Sequence, residues 1–171
     1  MSALKARRLP DGSGFRLEGV VIDYRDSAPV EDGLIERFLP GSLRLGPNAV
    51  LTVMHDRDRL LARSPDTLRL ADSQDKLSLV ADMPPTRESA DAYQLVKSGV
   101  YQGLSIRYLP ERERIEGSTR IVEAAYLESV GVVDVPAYPM STLRARDKSL
   151  IRRLAGHGSP GQRSVIRRFL L

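Results

Sequence analysis

The sequence predicts a mainly-β domain over residues 1–142 and a basic tail over residues 143–171. Three observations support this prediction. Short runs of alternating or β-branched residues recur along the body, and turn-forming residues separate them. Few helices are indicated, and the clearest of them follows Pro84 and Pro85. Hydrophobic residues make up 42% and charged residues 28% of the 171 residues, which is typical of a globular protein large enough for one core.

Four segments in the first half of the body are apolar and alternating or β-branched, and we expect them to be strands: residues 15–23, 49–55, 67–70 and 76–81. The last two flank a polar turn and form a predicted hairpin. Asp32 is a candidate cap for a short helix that runs to Phe38, and the Pro40-Gly41 pair that follows prevents the helix from continuing.

The second half begins with the clearest helix. Thr86 is its predicted N-cap, Glu88 lies favourably in the first turn, and Gly99 is placed to end it. Three strands are predicted after this helix: residues 103–109, 119–127 and 129–135. Pro136 ends the last of them.

The tail carries the basic character of the chain. Residues 143–171 contain eight Lys and Arg and one acidic residue, Asp147, a net charge of +7. Since the whole chain has 26 basic and 22 acidic residues, the body keeps 18 basic and 21 acidic ones, a net charge of −3. The tail is either a detachable or partner-facing segment or a segment whose helix packs on the body. A nucleic-acid-binding protein should place a basic face on its folded domain, so the acidic body argues against that class.

Composition excludes several further classes. No apolar run approaches the roughly 20 residues that a spanning helix needs. The basic amino terminus lacks an apolar core behind it, so we do not expect a secretory signal. The absence of cysteine excludes thiol nucleophiles, disulfides and thiolate metal sites. An intracellular protein is the simplest interpretation.

His55 is the better of two candidate general bases. His157 lies in a glycine-rich break of the tail, whereas His55 ends a predicted buried strand and precedes a polar loop. The alternative is a strand-end histidine that only hydrogen-bonds a neighbour. A metal site built from His55 with Asp56 and Asp58 is weak, because no second histidine stands at ligand spacing.

Ser105 is the candidate nucleophile, because it lies in an otherwise apolar strand that follows a helix and Gly103. A buried hydroxyl without a partner costs about 1–3 kcal/mol. A backbone carbonyl that accepts from it is therefore the alternative explanation. The G-x-S-x-G pattern of the α/β-hydrolases fails at Arg107.

Six short motifs follow one another along the chain, and their order is more specific than any one of them: residues 36–42 (ERFLPGS), 53–56 (VMHD), 60–63 (LLAR), 83–86 (MPPT), 103–108 (GLSIRY) and 130–139 (VGVVDVPAYP). Together they resemble the caudovirus prohead serine protease family, and the resemblance runs from about residue 15 to residue 142. It implies a closed β-barrel with a few flanking helices, similar to herpesvirus assemblins. It also implies that His55 is the base and Ser105 the nucleophile of acyl transfer, with no metal or organic cofactor.

The resemblance further implies an acidic residue shortly before the Pro-Ala pair, which would orient His55 and stabilise its imidazolium. Glu128 is the nearest match, but it lies one residue further from Pro136 than expected. On a strand this slip points the side chain to the other face unless a bulge corrects it. Glu123 and Asp134 are the alternatives.

Other positions of the resemblance carry weaker implications. Backbone N–H groups near Ala137 and Tyr138 would form the oxyanion hole. Ala62 and Arg107 stand where glycine is common in the family. Arg107 is interpreted either as a residue that contacts substrate or shapes the oxyanion site, or as an exposed strand residue.

The implied substrates are a scaffolding protein, or the scaffolding segment of the major capsid protein, and then the protease itself. The implied location is the procapsid in the cytoplasm of the bacterial host. A catalytically inactive capsid-assembly or scaffold module with the same fold stays open as the alternative. A homodimer also stays open, since related viral proteases are often regulated by dimerisation.

Overall fold

A computed structural model describes residues 5–8, 13–30, 33–46 and 48–138 of the chain. The strands within these ranges are β1 (Lys5–Arg8), β2 (Phe15–Asp23), β3 (Ala28–Pro29), β4 (Ile35–Phe38), β5 (Leu43–Arg44), β6 (Val50–Val53), β7 (Asp56–Arg63), β8 (Leu68–Asp72), β9 (Lys76–Met83), β10 (Gly103–Glu116) and β11 (Thr119–Val133). One helix, α1 (Arg87–Lys97), lies between β9 and β10.

The described strands form two sheets, which confirms the mainly-β class. Four strands pair in the order β1-β2-β9-β8. Seven strands form the other sheet around β11, which pairs with β10 antiparallel along its length. The other edge of β11 pairs in parallel with β4, β5 and β6 in turn. Buried side chains from both sheets contribute to one hydrophobic cluster.

The closed barrel that the resemblance implied is not found. No strand ladder joins the four-stranded sheet to the seven-stranded sheet among the described residues. A barrel closes only when every strand edge finds a partner with a consistent stagger. Here the two sheets share a core through their side chains, so the fold is mainly β without closure.

Helix α1 confirms the prediction made from its caps. The Thr86 hydroxyl accepts a hydrogen bond from the backbone N–H of Ser89 at 3.2 Å, which satisfies a donor of the first turn. At the other end Gly99 has φ 76°, a conformation that glycine adopts without strain. Both signals act locally, which explains why the sequence alone predicted them. Within the described part of the chain, no helix is long and apolar enough to cross a membrane.

The predicted short helix ending at Phe38 is wrong. Residues Ile35–Phe38 form β4, with Glu36 and Phe38 buried and their neighbours exposed. This alternation suits a strand, and the parallel pairing with β11 supplies the backbone partners. Tertiary pairing thus overrides the local helix signal. Asp32, its predicted cap, lies outside the described residues.

The remaining strand predictions are confirmed with altered bounds. Residues 67–70 and 76–81 correspond to the hairpin β8–β9. The two strands predicted over 119–127 and 129–135 are one strand, β11, with a register shift at Glu128. The tail over residues 143–171, with His157, lies outside the described residues.

Candidate active site

His55 lies in the two-residue turn between β6 and β7, and not at the end of a strand. Val53 pairs with Asp56 across this turn, and Met54 and His55 have φ values of 53° and 57°. Positive φ at both central residues is the mark of a type I′ turn, in which Asn and Gly are usual. A side chain held in this region costs on the order of 1–3 kcal/mol and is frequent at functional sites. The backbone N–H of Met54 donates to Val132 at 3.0 Å and ties the turn to β11.

The imidazole of His55 covers Gly131 of β11. A Cβ atom on Gly131 would lie 2.9 Å from both Cδ2 and Nε2 of His55 and 3.0 Å from Cε1. Carbon and nitrogen atoms do not approach this closely without displacement. The ring therefore occupies the space that any larger residue at position 131 would need.

Ser105 is the direct partner of Gly131 in the β10–β11 ladder. Paired residues project to the same face of a sheet, with Cβ positions roughly 4.5–5.5 Å apart. The ring over Gly131 therefore lies beside the Ser105 side chain. Both residues are buried, with 7% of Ser105 and 5% of His55 exposed. The structure brings these two sequence-predicted residues together on one face of the seven-stranded sheet.

Ser129 contacts the other ring nitrogen. Its Oγ lies 3.0 Å from Nδ1 of His55, and the contact is buried. Ser129 precedes Gly131 by two residues on β11, so its side chain projects to the same face. A hydroxyl can accept from Nδ1–H, and in that tautomer the lone pair is on Nε2. This is the tautomer that a general base needs.

The surroundings of His55 favour the neutral imidazole. Burial in the first place, and the positive charge of Arg107 in the second, lower the pKa of His55 to about 4. Arg107 follows Ser105 by two residues and pairs with Ser129, so it lies on the same face of the sheet. At neutral pH the ring is therefore unprotonated and able to take a proton.

Glu128 is the extra residue of a bulge in β11. Arg107 pairs with Ser129 and Tyr108 pairs with Leu127, which leaves Glu128 between them. Its side chain is half-buried. The partner that the structure gives to Nδ1 is Ser129, one residue closer to Pro136. The sequence indicated position 129, because the distance expected between the orienting residue and Pro136 leads to Ser129 and not to Glu128.

The two other acidic candidates have partners of their own. Glu123 accepts from Arg112 at 2.8 Å and from Arg114 at 2.7 Å, and these guanidinium groups lower the pKa of its carboxyl. Asp134 is exposed and accepts from the backbone N–H of Val135 at 2.8 Å. Ala62, the other departure from the family pattern, is buried in β7.

The segment predicted to form the oxyanion hole is anchored by a buried carboxyl group. Tyr138 donates to Oε1 of Glu36 at 2.8 Å, and Tyr108 donates to Oε2 at 2.6 Å. Arg120 adds an ion pair to Glu36 at 3.3 Å. We call these four residues the Glu36 cluster; Glu36 itself is fully buried. Ala137, next to Tyr138, is half-buried.

Comparison with known families places the chain in a described family. The model of the family described as caudovirus prohead serine protease matches residues 4–153. This range contains every residue of the site described above and extends into the basic tail. No curated protein and no solved structure matches the chain.

Proposed function

The chain belongs to the caudovirus prohead serine protease family, and from this premise we propose that it is a serine endopeptidase with Ser105 as nucleophile and His55 as general base. Family membership supports a protease of phage capsid maturation. The assignment of the site to particular residues is our proposal.

One observation supports this assignment most. The imidazole of His55 fills the space above Gly131, the residue that pairs directly with Ser105. A purely structural histidine would need neither a strained turn nor a glycine beneath its ring. A nucleophile and a base need this proximity.

The proposed reaction proceeds through an acyl-enzyme. Ser105 Oγ attacks the carbonyl carbon of the scissile peptide while Nε2 of His55 takes its proton and later transfers it to the leaving amine. Water then hydrolyses the ester by the same route. Ser129 keeps the proton of the neutral ring on Nδ1, and Glu128 is the alternative residue for orienting the ring. Backbone N–H groups near Ala137 and Tyr138 are the proposed donors to the oxyanion.

The proposed substrates are a scaffolding protein or the scaffolding segment of the capsid protein, inside the procapsid in the host cytoplasm. We also propose that the basic tail over residues 143–171 is lost by self-processing. Mass spectrometry of the purified protein tests this point. Wild type should show a truncation near the tail that Ser105→Ala prevents, and an intact wild-type tail would contradict self-processing.

Labelling by a serine-directed fluorophosphonate tests the nucleophile and the base. Wild type should be labelled at Ser105, and Ser105→Ala should not be labelled. His55→Ala should react at least about 10³-fold more slowly, because the hydroxyl loses its base. Gly131→Ala should slow labelling by about 10²-fold, because the new methyl group displaces the ring. Ser78→Ala, which removes a half-buried strand hydroxyl of β9, is the matched control and should react like wild type.

Failure of wild type to react would favour the second candidate, a capsid-assembly module that keeps the fold without activity. Reaction at a serine other than Ser105 would contradict the site while leaving a protease possible. Each outcome is read on protein whose folding has been checked by its thermal unfolding curve.

A further inference from the structure

Arg107 is a cation on the face of the sheet that carries Ser105 and His55. It follows Ser105 by two residues on β10, pairs with Ser129 of β11, and is half-buried. Within the described part of the chain, Arg107 makes no salt bridge and no side-chain hydrogen bond. Its positive charge lowers the pKa of His55.

Other shielded arginines of the molecule have carboxylate partners. The side chain of Arg16 is 24% exposed and pairs with Asp82, and that of Arg120 is 19% exposed and pairs with Glu36 and Glu113. Arg107 is half-buried like them, and the more of its guanidinium is withdrawn from water, the more an absent partner costs. Glu128, on the neighbouring strand beside Arg107, does not form an ion pair with it in the described structure. Since no carboxylate of the described residues pairs with Arg107, a carboxylate on a bound polypeptide is a partner that fits this position.

The position of this charge also opposes the proposed chemistry. When His55 takes the Ser105 proton it becomes an imidazolium, and a positive guanidinium nearby destabilises that state. The same repulsion contributes to the low pKa of His55. A carboxylate bound to Arg107 would cancel most of this repulsion at the moment of reaction. The cation then slows only those substrates that do not supply a carboxylate.

We propose that Arg107 is a specificity-determining residue that binds an Asp or Glu side chain of the polypeptide substrate next to the scissile bond. The planar guanidinium suits a carboxylate in a bidentate geometry. Binding selects the substrate and at the same time neutralises the charge beside His55. This inference rests on the proposed function, because it needs Ser105 and His55 to be the reacting groups.

Cleavage-site profiling tests the proposal directly. The probe is a library of peptides from a digested bacterial proteome, and the cleaved bonds are identified by mass spectrometry. Wild-type sites should be enriched about tenfold in Asp and Glu at one fixed position. Arg107→Gln should lose this enrichment, and Arg107→Glu should replace it with enrichment in Lys and Arg at the same position. Arg37→Gln removes the same charge from an exposed site on β4 and should keep the wild-type profile.

Kinetics on a matched peptide pair separates specificity from structural damage. One peptide carries Glu at the enriched position of a wild-type site and the other carries Gln. Wild type should prefer the Glu peptide by about tenfold in kcat/KM, with part of the effect in kcat, because the carboxylate acts on the base as well as on binding. In Arg107→Gln the two peptides should differ by less than about twofold, and kcat for the Gln peptide should rise above the wild-type value.

The two proposals fail in different ways. Wild-type cleavage that depends on Ser105 but lacks a charge preference, or a preference unchanged in Arg107→Glu, would overturn the role of Arg107 and leave the protease intact. Absence of any Ser105-dependent cleavage by wild type would overturn the proposed function and this inference with it.

Discussion

At the scale of single residues, His55 is a weak base held next to a hydroxyl. Burial and the charge of Arg107 lower the pKa of the imidazole to about 4, so the neutral form persists well below pH 6.5. At neutral pH such a base is almost entirely unprotonated, but the free energy of protonating it is unfavourable because its pKa lies well below the pH. Interactions that appear only with bound substrate are therefore expected to strengthen it.

The depressed pKa of His55 predicts how folding stability depends on pH. The unfolded chain binds a proton near pH 6.5, whereas the folded protein binds it near pH 4. The contribution to stability is complete above about pH 6.5 and is lost as pH falls towards 4. Between pH 7.5 and pH 5, wild type should lose about 2 kcal/mol more free energy of unfolding than His55→Gln, as measured in urea at both pH values. Equal losses in the two proteins would contradict a buried neutral His55.

At the residue scale, the sequence could name candidates only where a side-chain type suggests its own chemistry. Ser105 and His55 are the side-chain types that acyl transfer needs and lie in the ordered motifs, and their catalytic roles stay a prediction. Gly131 was not identified, because its contact depends on which strand lies opposite and on a ring that folds over from a turn. Ser129 was not named, although the count from Pro136 pointed to its position, because an acidic residue was expected there. Such pairings join residues that are distant in sequence.

At the scale of elements, the alternation of side chains along β11 decides which of them faces His55. The ladder is regular from the Ser105–Gly131 pair to the Arg107–Ser129 pair, so Ser129 shares the face of Gly131 and lies within hydrogen-bond reach of Nδ1. The register shift at Glu128 begins only beyond this pair, so the bulge leaves the position of Ser129 unchanged. The turn between β6 and β7 then completes the contact from the other side.

Ser129 and Glu128 give different predictions for the group that orients His55. Ser129→Ala removes the hydroxyl that contacts Nδ1, and we expect kcat to fall by about tenfold or more, since the proposed Nδ1–H tautomer loses its acceptor. Glu128→Gln keeps the size of the side chain and removes its charge, and we expect a change of less than about twofold. Steady-state kinetics on one peptide substrate measures both. The reverse order of effects would assign the orienting role to Glu128.

The helices and strands differed in how well they could be predicted from the residues next to them in the chain. The caps of α1 and the hairpin β8–β9 follow from residues next to them in the chain, and both were predicted. Strand β4 was mistaken for a helix because its strand character comes from pairing with β11. The absence of barrel closure could not be read from any single segment, since it is a property of how the two sheets meet.

At the scale of the whole molecule, β11 joins every part of the site. It supplies Ser129 and Gly131, pairs with the strand that carries Ser105, and receives the turn that carries His55. The chain that leaves β11 returns over the core, where Tyr138 reaches Glu36. Burial and the neighbouring carboxyl raise the pKa of Tyr138, so its hydroxyl stays protonated and donates. The Glu36 cluster thereby fixes the segment from which the oxyanion donors are proposed to come.

Removal of one hydroxyl tests whether this anchor stabilises the fold and the site together. Tyr138→Phe leaves a fully buried Glu36 oxygen without one of its donors, which should lower the free energy of unfolding by about 1–3 kcal/mol. Because residues 136–138 then lose their attachment, kcat should fall as well. Tyr126→Phe is the matched control: this tyrosine of β11 is 39% exposed, and the change should cost less than about 0.5 kcal/mol. Urea unfolding and peptide kinetics on both variants decide the question.

Similar losses of stability in Tyr138→Phe and Tyr126→Phe would mean that the hydrogen bond to Glu36 contributes nothing specific. A loss of stability at unchanged kcat would separate the anchor from the oxyanion donors.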